Sequence, residues 1–277
     1  MSRPWILLCP STRGIGHALA RHLLTTTTLP ILATARSPAD THDALKAALL
    51  KDLPPSASHS KNQAADRLQI VHLDVTDEST IHSAATHAST LFPRDTYHLH
   101  LAFALPGILR NPEKSPAQID YDAALETYKV NALGPLLLMK HFSPFLPRKA
   151  TEIQPFDNDE GLPAHAVWTT MSARVGSISD NKLGGWYSYR SSKAAVNSLT
   201  KSLDVQLRSR SGDKAMAIAY HPGTVKTDLS RDFWGSVAND SLFDVDDAAG
   251  RMAGVVLGAG LDMRGRVWDY KGDEVLP

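Results

Sequence analysis

The sequence predicts a single α/β domain, residues 1–277, built on a doubly wound parallel sheet, and three observations carry that expectation. Short apolar runs alternate with longer stretches of helical periodicity along nearly the whole chain. Runs apolar on both sides of the strand fit a parallel sheet covered on both faces, because right-handed crossovers lay a helix over each connection. A chain of 277 residues with 43% hydrophobic content is also long enough to bury one substantial core without dividing.

The expected strands are Trp5 to Leu8, Leu29 to Ala35, Leu68 to Leu73, His98 to Ala104, Ala166 to Met171, Ala215 to Tyr220 and Val267 to Tyr270. Between them the spacing predicts helices over Gly14 to Leu24, Thr80 to Leu91, Tyr121 to Leu146 and Tyr187 to Arg208. Two stretches break the rhythm, near residues 54–66 and 148–163, and both are rich in proline and in small or charged residues. They read as surface insertions, since the alternation resumes after each. The residues after Thr227 read as a substrate lid.

Lysine plus arginine equals aspartate plus glutamate at 29 each, so no nucleic acid or membrane partner is expected from overall charge. The one cysteine, Cys9, excludes an intrachain disulfide and a multi-thiolate zinc site, and fits a reducing compartment. The apolar start Trp5-Ile6-Leu7-Leu8 is too short for a signal-peptide core and no run is long enough to span a bilayer, so the expected location is cytoplasmic. His98 and His100 on a strand and His82 and His87 on a helix lack a His-Glu-x-x-His arrangement, and no metal is expected.

The first strand runs into Cys9-Pro10-Ser11-Thr12-Arg13-Gly14-Ile15-Gly16 and then an amphipathic helix. Glycines at that turn let backbone amides approach a phosphate, and the helix N-terminus adds N–H donors and a favourable dipole. The second strand ends at Arg36, where a site selective for the unphosphorylated dinucleotide usually carries an acid; a guanidinium there suits a 2′-phosphate, and Arg13 offers a second cation. The alternative is two solvated arginines.

With these residues the chain resembles the short-chain dehydrogenase/reductase family, whose fold is the Rossmann fold. Gly14 and Gly16 match the last two glycines of its fingerprint, whereas Cys9 and Pro10 stand where Thr and Gly are usual. The resemblance implies NADP(H) as cofactor, held by Ser11, Arg13, Gly14, Ile15, Gly16 and Arg36. Asp74-Val75 looks like the family's pair beside the adenine, although Asp74 equally suits a helix cap or a turn. Gly107 alone survives of the family's Asn-Asn-Ala-Gly segment, which reads Ala104-Leu105-Pro106-Gly107 here.

Ser172 follows the fifth strand, and Tyr189-x-x-x-Lys193 lies on a helix, where a spacing of four puts both side chains on one face. A lysine beside a tyrosine favours the tyrosinate and is expected to lower the tyrosine pKa. With Asn131 in the preceding helix these residues match the family's Asn-Ser-Tyr-Lys tetrad. The resemblance makes Tyr189 the general acid/base, Ser172 the partner of the substrate oxygen, Lys193 the holder of the nicotinamide ribose and Asn131 the anchor of a proton-relaying water. Pro222, Gly223, Thr224, Val225 and Thr227 resemble the loop that closes over the nicotinamide; Thr227 also suits the N-cap of a following helix.

The stretches Ser172 to Ile178, Tyr189 to Ala195 and Gly265 to Tyr270 look most like the sniffer and C-factor branch of carbonyl reductases. The expected substrate is a small carbonyl or alcohol, with Trp186, Phe233 and Trp234 as candidate cleft residues, and reduction of a biosynthetic keto intermediate is an alternative. Family members pair into homodimers or homotetramers through the helices carrying Asn131 and Tyr189. A rival of another class is a degenerate member that senses NADP(H) or binds a protein partner with little turnover, as the changes at Cys9-Pro10 and Ala104 to Pro106 suggest. The intact tetrad favours the enzyme.

Overall fold

The computed structural model describes residues 1–36, 41–54, 61–153, 161–238 and 241–277. Strands β1 (Arg3–Cys9), β2 (Ile31–Ala35), β3 (Leu68–His72), β4 (Tyr97–Ala104), β5 (Ala166–Met171), β6 (Ala215–His221), β9 (Val267–Asp269) and β10 (Glu274–Val275) form one sheet in the order β10-β9-β6-β5-β4-β1-β2-β3. All neighbours are parallel except β10 on β9. A second, two-stranded sheet pairs β7 (Thr224–Val225) with β8 (Leu242–Phe243). The strand order turns back between β1 and β4, and a doubly wound sheet opens its binding crevice beyond the carboxyl ends of the strands at such a point.

Alternate residues of β1 face opposite layers. Ile6 and Leu8 pack with Leu19 and Leu23 of α1 (Gly14–Thr26) and Met252 and Val256 of α8 (Val245–Leu257). Trp5 and Leu7 pack with Ile81 of α4 (Glu78–Leu91), Leu138 of α6 (Gly134–Phe142) and Leu203 and Leu207 of α7 (Tyr187–Ser211). Both layers are buried, which is why the strands read as largely apolar runs.

The helices differ from expectation in one long stretch that is divided and in three helices that the spacing did not predict. Tyr121 to Leu146 is divided into α5 (Tyr121–Tyr128), a π turn (Lys129–Leu133), α6 and a final 3₁₀ turn, with Pro135 at the start of α6 and Pro144 in the last turn. The stretch read as an insertion over 54–66 ends in helix α3 (Lys61–Arg67), after α2 (His42–Leu50); 55–60, like 154–160 of the second insertion, lie outside the described residues. Helix α8 was not expected, because Gly250 and Gly254 interrupt a run whose apolar face consists largely of alanines.

Three side chains form a buried hydrogen-bonded line under β4. Because the Pro163 carbonyl can only accept, His100 Nε2 must donate to it at 3.0 Å, so His100 Nδ1 accepts from His98 Nε2 at 3.2 Å and His98 Nδ1 accepts from Ser2 Oγ at 3.0 Å. Burial holds His98 at about 4 and His100 at about 3, below the ordinary value of 6.5. Below about pH 6.5 the unfolded chain takes up protons that the folded chain refuses, so stability falls as the pH drops towards 4. Thermal unfolding is expected to shift down by roughly 10 °C between pH 7 and pH 4.5, and less in His98→Gln. A slope unchanged by His98→Gln would remove this line as the cause.

Candidate active site

Beyond the carboxyl ends of β1, β4, β5 and β6 lies a cavity of about 590 Å³, walled by the glycine turn on one side and by Ser172, Tyr189 and Lys193 on the other. Arg13, Gly14, Ile15, Gly16, Gly107, Pro222, Gly223, Val225 and Thr227, all singled out in the sequence, also line it. Ser11, Arg36, Asp74, Val75 and Asn131 do not.

The glycine turn is closely built. Ser11 is fully buried, and both its backbone N–H and its Oγ donate to the Thr34 carbonyl at 3.0 Å, tying the turn to β2 despite Pro10. A Cβ on Gly16 would stand 2.0 Å from the Pro10 carbonyl oxygen, so the turn closes over α1 only because this residue has no side chain. Arg13 at the N-cap of α1 offers no side-chain acceptor to the first-turn amides, which leaves them to an anion. The turn and helix end therefore fit a phosphate-bearing dinucleotide. Arg13 is exposed and 3.7 Å from Asp228, while Arg36 is exposed at the end of β2, outside the cavity.

Asp74, Val75 and Asn131, outside the cavity, fix the backbone around them instead. Asp74 accepts from the Thr76 N–H at 2.8 Å and from Thr76 Oγ1 at 2.7 Å; this is the turn alternative, and the helix cap is Asp77, which accepts from the Ser79 N–H. Val75 packs where a side chain on Gly134 would go. Asn131 donates from Nδ2 to the Ile108 carbonyl at 2.9 Å and to Ser192 Oγ at 3.1 Å, and its Oδ1 accepts from the Ile108 N–H at 2.8 Å. Both amide protons are thus spent joining the loop after β4 to α7. Thr227 starts no helix; the next is a 3₁₀ helix over Arg231–Ser236.

Lys193 donates from Nζ to the Met171 carbonyl at 2.9 Å, beneath Gly107, where a Cβ would approach Nζ to 3.4 Å. Nζ lies 5.8 Å from the centre of the Tyr189 ring. The expected lowering of the Tyr189 pKa is not found: burial pushes the phenol up to about 12 and brings the Lys193 ammonium down to about 8. Removal from water outweighs attraction from a cation whose own charge is disfavoured by the same burial.

Trp186 and Phe233 meet at 4.9 Å between ring centres and line the cavity, whereas Trp234 does not line it and donates from Nε1 to Ser230 Oγ. Trp186 sits at the N-cap of α7 with φ +54, a left-handed conformation unusual for a large side chain. Glu113 holds it there: its carbonyl accepts from the Trp186 N–H at 2.6 Å and its carboxylate accepts from Ser188 Oγ. The Gly184-Gly185 pair, both at φ +65, was the available sequence signal for this turn. Asn197, likewise missed, accepts from Ser172 Oγ at 2.5 Å. His221 and Arg174 also line the cavity, with Arg174 2.8 Å from Asp269. Among the described residues no cluster of three His, Cys, Asp or Glu could hold a metal, and no helix is long and apolar enough to cross a membrane.

Comparison with known proteins gives the same architecture. The family described as enoyl-(acyl carrier protein) reductase matches residues 11–255. The C-signal protein of Myxococcus xanthus is 31% identical over 157 residues, covering 57% of this chain and 80% of that protein. The crystal structure of an NADPH-bound carbonyl reductase from chicken fatty liver is 27% identical and superposes with a TM-score of 0.77 over 100% of both chains. The carbonyl reductase Sniffer of D. melanogaster is 26% identical with a TM-score of 0.75, again over 100% of both.

Proposed function

Because the chain belongs to the short-chain dehydrogenase/reductase family, we propose that it is an NADPH-dependent reductase of small aldehydes, ketones or quinones. The observation that carries this reading is the meeting of the glycine turn with Ser172, Tyr189 and Lys193 around one cavity. The cofactor, when bound, supplies a hydride to the carbonyl carbon. Tyr189 donates its phenolic proton to the carbonyl oxygen, a role suited to a phenol that burial keeps protonated at neutral pH. Ser172 hydrogen-bonds the same oxygen, and Lys193 holds the ribose and recharges Tyr189. Asn131 keeps α7 in register with the loop after β4, so its part is to set the distance between cofactor and acid. Trp186 and Phe233 form a wall for a flat or apolar substrate.

In this reading Arg13 and Arg36 take the 2′-phosphate, the exposed Arg36 swinging onto it from the end of β2. Fluorescence titration is expected to show NADPH binding more tightly than NADH. Arg36→Asp is expected to weaken NADPH about 10- to 100-fold, the worth of a charge-assisted pair, while sparing NADH. An unchanged preference would remove Arg36 as a phosphate ligand. Exposed Tyr121, Leu125, Leu133 and Leu136 supply the surface on which a homodimer or homotetramer would form.

A further inference from the structure

We propose that Asn197 is a positioning residue that sets which way the Ser172 hydroxyl proton points, and so whether Ser172 can stabilise the substrate oxygen; the proposal rests on the reductase reading above. Tyr189, Lys193 and Asn197 stand at successive spacings of four on α7, on one face of the helix. The element that presents the acid and its lysine thus also presents a carboxamide to Ser172. Ser172 is buried, and its Oγ donates to Asn197 Oδ1 at 2.5 Å. Among the described residues no other side chain bonds that hydroxyl: Lys193 Nζ is engaged by the Met171 carbonyl, and both Asn131 amide protons are committed elsewhere.

A hydroxyl has one proton and two lone pairs. With its proton given to Asn197, Ser172 offers the cavity lone pairs alone. That suits an alcohol, which can donate to it, and not the negative oxygen that develops as a carbonyl is reduced, which needs a donor. A half-turn of the Asn197 amide replaces Oδ1 by Nδ2; Nδ2 then donates to Ser172 Oγ, and the serine proton turns into the cavity. Asparagine serves both orientations. A carboxylate at this position could only accept, and would hold the serine proton away from the substrate. The amide therefore lets one serine act as acceptor towards the alcohol and as donor towards the carbonyl oxygen.

The test is steady-state carbonyl reduction from pH 5 to pH 9 by wild type, Asn197→Asp, Asn197→Leu and Ser172→Ala, and by each Asn197 variant combined with Ser172→Ala. At pH 8, Asn197→Asp is expected to lower kcat about 100-fold, the loss of one oxyanion donor, with NADPH affinity unchanged. Its kcat relative to wild type should rise towards acid pH, where the introduced carboxyl takes up a proton and regains a donor. Asn197→Leu, which frees the hydroxyl to rotate, should lose less than about 10-fold. In the Ser172→Ala background neither substitution should lower kcat further.

Equal losses in Asn197→Asp and Asn197→Leu with parallel pH profiles would overturn the proposal, as would full losses persisting without Ser172. Should Asn197→Asp not fold, the coupling between Asn197→Leu and Ser172→Ala decides alone. Wild type that binds NADPH but reduces no carbonyl would instead defeat the reductase reading, and the proposal with it.

Discussion

Tyr189→Phe is expected to lower kcat for carbonyl reduction about 100- to 10,000-fold while leaving NADPH binding intact, since general acid catalysis contributes factors of about 10² to 10⁴. The substitution removes one oxygen and keeps the ring, whose place is set by Trp186 at 6.1 Å and by the start of α7 on Glu113. A phenol raised to about 12 is fully protonated at pH 7, which favours its use as an acid. Lys193, brought down to about 8 by burial, loses its proton as the pH rises through that value. The rate of reduction should therefore fall above about pH 8, and rapid-mixing measurement of NADPH oxidation checks both effects. Unchanged turnover in Tyr189→Phe would withdraw Tyr189 as the acid.

Gly16→Ala is expected to damage nucleotide binding most. The added methyl would lie 2.0 Å from the Pro10 carbonyl oxygen and 3.1 Å from its carbon, both backbone atoms that no side-chain rotation can move aside. The turn must open, at a cost of about 1–3 kcal/mol, or roughly 10- to 100-fold in the NADPH dissociation constant. Gly254→Ala on α8 is the matched control: its methyl meets nothing within 4 Å, so binding should hold and unfolding should move slightly upward. Equal NADPH affinity in Gly16→Ala and wild type would show that the turn does not carry the nucleotide.

The fold was readable because both faces of the sheet are covered by helices, which made most strands largely apolar runs; Ala166 to Met171 was bounded correctly at both ends. The placing of Tyr189 and Lys193 on one helix was readable because a spacing of four is local. What escaped depends on distant partners. Nothing in the run from Tyr128 to Gly134 announces that Asn131 will sit in a π turn, buried between Ile108 and Ser192. Glu113 lies 75 residues before Ser188 and Ser172 lies 25 before Asn197, and these pairings exist only after β5 and α7 have packed. The Tyr189 acidity was misjudged for the same reason. The neighbouring lysine is visible in the sequence, but the burial that outweighs it is a property of the assembled site.

The account stands most directly on hydride transfer. Wild-type protein would be incubated with NADPH carrying deuterium at both C4 positions and with a panel of aldehydes and ketones, and the products read by mass spectrometry. The account predicts alcohols with one deuterium on the carbinol carbon, and none from Tyr189→Phe. NADPH bound at the glycine turn with no deuterium reaching any carbonyl would contradict it and favour a nucleotide-sensing protein with little turnover.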